Sequence, residues 1–149
     1  MKRNDYLYLD HAATTPMRES ALEAFKNAEE FAYANSSGGH ELSRRAKNLL
    51  EESRDFIASY FGAAPSEITF TSGGTEADNW VIKAPFMNSK NSQNLVTSKI
   101  EHEAVLASAE WLETQGQGVN YASCNTDGQV DVNEFLDKCN SDTAIASLM

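Results

Sequence analysis

Apolar residues recur at Leu42, Ala46, Leu49, Leu50, Phe56, Ile57 and Tyr60, mostly at steps of three and four. That spacing predicts a helix over 40–61 with one apolar side, and Gly62 stops it. Its other side carries Arg44, Arg45, Lys47, Glu51, Glu52 and Arg54 and reads as a solvated face. Residues 20–33, rich in Ala, Glu and Phe, predict an earlier helix, and 6–9 a short extended stretch. Short apolar runs predict strands over 67–71, 94–97, 119–122 and 143–148. Between them, 75–86, 102–114 and 132–138 predict helices, the last opened by a capping box of Asp131 and Glu134. Segments 35–39 and 88–94 read as surface loops.

Strands alternating with helices predict an α/β fold with a largely parallel sheet. Such a sheet needs cover on both faces. The last apolar strand has nothing after it, so the sequence is expected to be one incomplete domain that continues beyond Met149. Residues 1–40 read as an N-terminal arm and loop, and 41–149 as the α/β portion.

The 149 residues contain 12 Lys and Arg against 22 Asp and Glu, a net charge of −10. That balance argues against a nucleic-acid binder, which shows a basic face; a small cationic pocket for one anion stays compatible with it. Cys124 and Cys139 form no CxxC pair and read as free thiols. No apolar run approaches the roughly 20 residues of a membrane helix, and the N-terminus lacks a signal-peptide core. The expectation is a cytoplasmic protein without membrane or nucleic-acid partners.

The strongest chemical signal is the run from Phe70 to Asn79, FTSGGTEADN. A strand entering two glycines and then a helix aims backbone N–H groups and the positive end of the helix dipole at one spot. Ser72 and Thr75 add hydroxyl donors. The turn reads as an anion site, most simply for phosphate, or equally as a plain strand-to-helix connection capped by Thr75. Its spacing fits neither a Walker loop nor a dinucleotide fingerprint. His102 follows another strand, and strand carboxyl ends face the ligand crevice of an open α/β sheet. Asp10, His11, His40 and His102 match no zinc spacing. Residues 123–134 imitate part of a calcium loop through Asn125, Asp127, Gly128 and Glu134, but Ser123 stands where the leading Asp belongs; Asp127-Gly128 reads better as a turn.

Together these segments resemble the cysteine desulfurases, a group of pyridoxal-phosphate enzymes within the class V aminotransferases. The resemblance rests on 8–16 (YLDHAATTP), 35–40 (NSSGGH), 70–79 and 100–106 (IEHEAVL), with DGQVD at 127–131, and spans essentially the whole chain. DHAATT and TSGGTEADN resemble the branch serving iron–sulfur cluster assembly. Ser36 stands where that family usually has a proline, so the φ restriction of proline is missing there.

The resemblance implies part of the large domain of an aspartate aminotransferase-like enzyme of fold type I, with pyridoxal 5'-phosphate as cofactor. Gly74 and Thr75 would hold its phosphate; His102 would stack on the ring and assist proton transfer. The implied reaction turns L-cysteine into L-alanine and an enzyme-bound persulfide, in a homodimer that hands sulfur to an iron–sulfur scaffold or another acceptor protein. The Schiff-base lysine, the carboxylate facing the ring nitrogen and the nucleophilic cysteine are expected downstream of Met149, leaving this chain inactive alone. Lys83, Lys99, Cys124 and Cys139 read as structural or surface residues. Another class V enzyme, such as an aminotransferase or selenocysteine lyase, and a non-catalytic module binding a phosphate ligand or a partner subunit remain the alternative readings.

Overall fold

The computed structural model describes residues 7–87 and 93–149. The loop expected at 88–94 and the start of the extended stretch at Tyr6 fall mainly or wholly outside them. The chain forms two compact units, Met1–Thr69 and Phe70–Met149.

The first unit holds two helices, α1 (Glu19–Phe31) and α2 (Glu41–Phe61). His40 caps α2: its Nδ1 accepts from the Ser43 N–H at 3.4 Å. Gly62, at φ 66°, takes the left-handed conformation that ends it. The loop before α2 is stitched by Asn35, whose Oδ1 accepts from Ser37 N–H at 2.9 Å and whose carbonyl accepts from Gly38 N–H at 3.2 Å. These bonds hold the turn although Ser36 replaces the rigidifying proline.

The strand expected at 67–71 does not form. Pro65–Glu67 closes a 3-10 turn, with the Glu67 carboxylate accepting from the Ala64 N–H. Ile68 keeps extended dihedrals, but its carbonyl accepts from Arg54 Nη1 rather than joining a ladder. Extended backbone becomes a strand only beside a partner, and no described strand pairs with this segment.

The second unit is the α/β part. Its helices are α3 (Gly74–Met87), α4 (Glu103–Thr114) and α5 (Val132–Lys138), and its strands β1 (Asn94–Ser98), β2 (Gly118–Ala122) and β3 (Thr143–Ala146). The sheet has the order β2-β1-β3 and is parallel throughout. Asn94 to Ser98 pair with Gly118 to Ala122 without a break. Against β3, Asn94 pairs with Thr143 and Leu95 with Ile145, so Ala144 is the irregularity. Past β3, Ser147 N–H still donates to Val96 O at 2.9 Å. The strand expected at 143–148 therefore stops being regular at Ala146 but keeps its place beside β1.

The alternation of β1 sorts the layers. Leu95 packs with Ile82 and Phe86 of α3 and Val105, Ala109 and Leu112 of α4. Val96 faces the other way, onto Ala122 and Phe135 of α5. Both faces of the central strand are thus covered, as a parallel sheet requires.

Candidate functional site

The chain leaves β1 for β2 on one side and returns as β3 on the other. The order reverses beside β1, and in open α/β sheets ligands settle outside strand carboxyl ends at such a reversal. Residues 99–102 form the turn from β1 into α4 there, and His102 is the N-cap of α4. Its Nδ1 accepts from the Ala104 N–H at 3.1 Å. A ring nitrogen that accepts carries no proton, so the neutral imidazole bears its hydrogen on Nε2. The side chain is otherwise exposed.

The glycine turn opens α3, which packs beside α4. Lys83 Nζ stands 5.0 Å from the centroid of the Trp111 ring, and Phe86 and Met87 line one pocket with Trp111, Leu112 and Gln115. The carboxyl halves of α3 and α4 are therefore neighbours, and Ile82 and Phe86 of α3 share a core with Val105, Ala109 and Leu112 of α4.

Nothing in the protein demands glycine at 73 or 74. Neither has a positive φ, and a Cβ built on either meets no heavy atom within 4 Å. What the missing side chains leave is open space over the first turn of α3. That turn's leading N–H groups have no intrahelical acceptor; Ala77 N–H is bonded to Gly73 O at 3.2 Å. Thr75 is exposed, with its hydroxyl on the same turn. Open cradle, N–H donors and hydroxyl fit the phosphate of pyridoxal phosphate.

Glu76 is a residue the sequence reading left without a role. Its Oε2 accepts from Ser72 N–H at 2.6 Å and from Ser72 Oγ at 2.7 Å. The Ser72 hydroxyl, then its N–H, hold the carboxyl below the usual glutamate range. Ser72 therefore serves to lock the turn, and its donors are already taken. Glu101 is the second such residue: it is buried, with Oε1 accepting from Ser98 Oγ at 2.9 Å and Met149 N–H at 2.8 Å. Glu76 had a legible signal in its four-residue spacing from a turn serine. Glu101 had none, since nothing local in sequence shows a carboxylate folding back beneath a strand end.

The tempting substitutes lie elsewhere or lack the setting. Lys83 donates to Asn79 Oδ1 at 2.5 Å, and Asn79 in turn donates to Thr75 O at 2.8 Å. Lys99 is exposed. Cys139 Sγ donates to Phe135 O at 3.5 Å, and Cys124 bridges Val130. Asn125 Oδ1 accepts from Asp127 and Gln129 N–H, and Glu134 Oε1 accepts from Ser123 N–H, so the apparent calcium loop spends these ligands on its own backbone. Among the described residues no group of three His, Cys, Asp or Glu could hold a metal ion, and no helix is long and apolar enough to cross a membrane. Within the first unit, a cavity of 540 Å³ lies between α1 and α2, lined by Ala24, Ala28, Phe31 and Leu49 together with the exposed Arg45 and Glu52; it is an uncovered helix seam without a buried polar group to orient a ligand.

Comparison with known proteins decides the family. The aminotransferase class-V model matches residues 7–149. The chain belongs to the aminotransferase class-V family. It is 39% identical over 150 residues to cysteine desulfurase IscS of Dictyoglomus turgidum, covering 100% of this chain and 38% of that one. It is 40% identical over 149 residues to an IscS-like cysteine desulfurase of Mycobacterium tuberculosis, with 95% and 38% covered. Among solved structures, a NifS-like protein matches with a TM-score of 0.82 and 31% identity over 92% of this chain and 38% of that one. SspA in complex with cysteine matches with 0.85 and 32% over 95% and 41%. The chain thus spans about two fifths of these class-V relatives. Its parallel sheet with flanking helices is that of fold type I enzymes of the class, as the sequence led one to expect.

Proposed function

We propose that this chain is the N-terminal part of a cysteine desulfurase: a pyridoxal-phosphate-dependent enzyme that takes sulfur from L-cysteine for iron–sulfur cluster assembly. The observation that carries the reading is the open Gly73-Gly74-Thr75 turn at the start of α3, with His102 capping α4, in a chain about 40% identical to cysteine desulfurases along its length. Bound pyridoxal phosphate would supply an electron sink for the substrate's amino-acid carbon. Gly74 and Thr75 would hold the phosphate, through N–H groups at the α3 N-terminus and the Thr75 hydroxyl. His102 would contact the ring and offer its Nε2 proton for transfer.

In the overall reaction the substrate C–S bond breaks, an S–S bond forms on an enzyme thiolate, and a proton ends on the former sulfur-bearing carbon, giving L-alanine and a persulfide. The thiolate and the cofactor-binding lysine belong to the remaining part of the protein. The active form is a cytoplasmic homodimer that passes sulfur to a scaffold or other acceptor protein.

Two measurements test this. The longer polypeptide, loaded with pyridoxal phosphate, should form alanine from L-cysteine in step with sulfide released by a reductant; absence of alanine overturns the reading. The 149-residue chain, mixed with pyridoxal phosphate and reduced with borohydride, should show no stoichiometric lysine labelling. Peptide mapping that found Lys83 or Lys99 fully modified would give the cofactor-binding lysine to this chain instead.

A further inference from the structure

The turn between β1 and α4 is tied down residue by residue. Lys99 N–H donates to Ala122 O of β2 at 3.1 Å. Ile100 N–H reaches back to Ser98 Oγ at 3.4 Å. The His102 carbonyl accepts from Val105 and Leu106 N–H, and its Nδ1 from Ala104 N–H. Glu101 reaches the opposite neighbour: its Oε1 accepts from Met149 N–H, three residues past β3, as well as from Ser98 Oγ. The turn is thereby anchored to β2 on one side of β1 and to the segment after β3 on the other, across the reversal of strand order.

Glu101 is 8% exposed. A carboxylate is costly to bury unless its charge is met by donors, and here one donor from β1 and one from the segment after β3 converge on one oxygen. A glutamate at this place has no packing advantage over an apolar residue; its value lies in the link. We infer that Glu101 is a positioning residue for His102: by clamping the strand-to-helix turn between Ser98 and the segment after β3, it fixes where α4 begins. That in turn keeps His102 Nδ1 on Ala104 and leaves the Nε2 proton free. The inference rests on the reading of His102 above, but its test needs no bound cofactor.

The test uses the full chain with histidine labelled by ¹⁵N and amide exchange followed by mass spectrometry. The His102 signal is the one absent from His102→Asn. Wild type should show the Nε2–H tautomer and a protected Ala104 amide. In Glu101→Ala the tautomer signal should become averaged between the two forms, and Ala104 should exchange about tenfold faster. Glu101→Gln, whose amide oxygen still accepts from both donors, should restore both within about twofold. Ser98→Ala, which removes the donor to Glu101 and the weak 3.4 Å acceptor for Ile100 N–H but no charge, should speed Ala104 exchange severalfold while leaving Leu112, at the far end of α4, unchanged.

A Glu101→Ala chain that melts earlier but keeps the tautomer and Ala104 protection would make Glu101 purely structural and overturn the inference. If that variant does not fold, Ser98→Ala decides alone: unchanged Ala104 exchange, or Ala104 and Leu112 accelerated together, overturns it. Failure of the chain to bind pyridoxal phosphate would bear on the proposed function and leave these readouts intact.

Discussion

Thr75 and its two glycines carry the residue-scale argument, because their structural and functional demands separate. Gly74 is neither crowded nor left-handed. Gly74→Ala should therefore fold as well as the parent or slightly better, since alanine outranks glycine in a helix by up to about 1 kcal/mol. The same methyl group projects into the space over the N–H donors. The expected outcome is an unchanged or raised melting temperature with weakened pyridoxal-phosphate affinity in the longer, active protein. Equal losses of both would make Gly74 a folding residue only. Thr75→Val removes one hydroxyl donor to a charged acceptor, worth about 1.5–3 kcal/mol. Cofactor titration should weaken by roughly 10- to 150-fold, and an unchanged affinity would remove Thr75 from the site.

Glu76 sets the pH dependence of the same turn. Its carboxyl is held below its usual value in the folded chain by Ser72. Its contribution to stability is thus complete above the unfolded value, about 4.3, and is lost as pH falls through the lower folded value. Glu76→Gln should differ from wild type near neutral pH and converge with it under acid. Parallel melting curves from pH 7 to 3 would show that the Ser72 contact contributes nothing.

At the scale of elements, capping ties the site to the fold. His102 accepts from Ala104 N–H at the start of α4; losing an N-cap costs about 0.5–2 kcal/mol. His102→Ala should lower stability by that amount in denaturant melts, and His102→Asn, a good cap, should recover most of it. Both should remove the imidazole's function, so a cap-only role predicts full recovery by asparagine of cofactor absorbance as well. The helices were legible because each carries a local signal: the apolar side of 41–61, Gly62 after it, Asp131 before α5. Strands β1 to β3 were legible as apolar runs, although only the structure gives their order. The segment 67–71 reads as well as any strand by composition, yet it forms none, because a strand is a relation to a partner that its own residues do not encode. The proposed site divides the same way. Gly74, Thr75 and His102 stand in recognisable local patterns, whereas Glu101 acquires its meaning from Met149, 48 residues away.

For the molecule as a whole, the two units differ in what holds them. In the second, Leu95, Val96, Ala109, Leu112 and Ala122 are fully buried, each large one contributing about 1.5–3 kcal/mol. In the first, α1 buries no residue, and α2 only Ser43, Ala46 and Ala58, while Phe25, Phe31, Phe56 and Phe61 are exposed. Isolated helices of about 12–15 residues are marginal in water without a packed face. Amides of α1 should therefore exchange close to the rate of an unfolded chain, and those of β1 and α4 should be protected by about two orders of magnitude or more. Exposed rings on this scale also favour association. The net charge of −10 opposes it, but the Debye length shrinks from about 10 Å at 0.1 M salt to about 3 Å at 1 M. Light scattering should therefore show self-association that grows with concentration and with salt. A monodisperse chain at all salt concentrations, melting in one reversible two-state step with α1 as protected as β1, would show that the exposed apolar faces need no further cover.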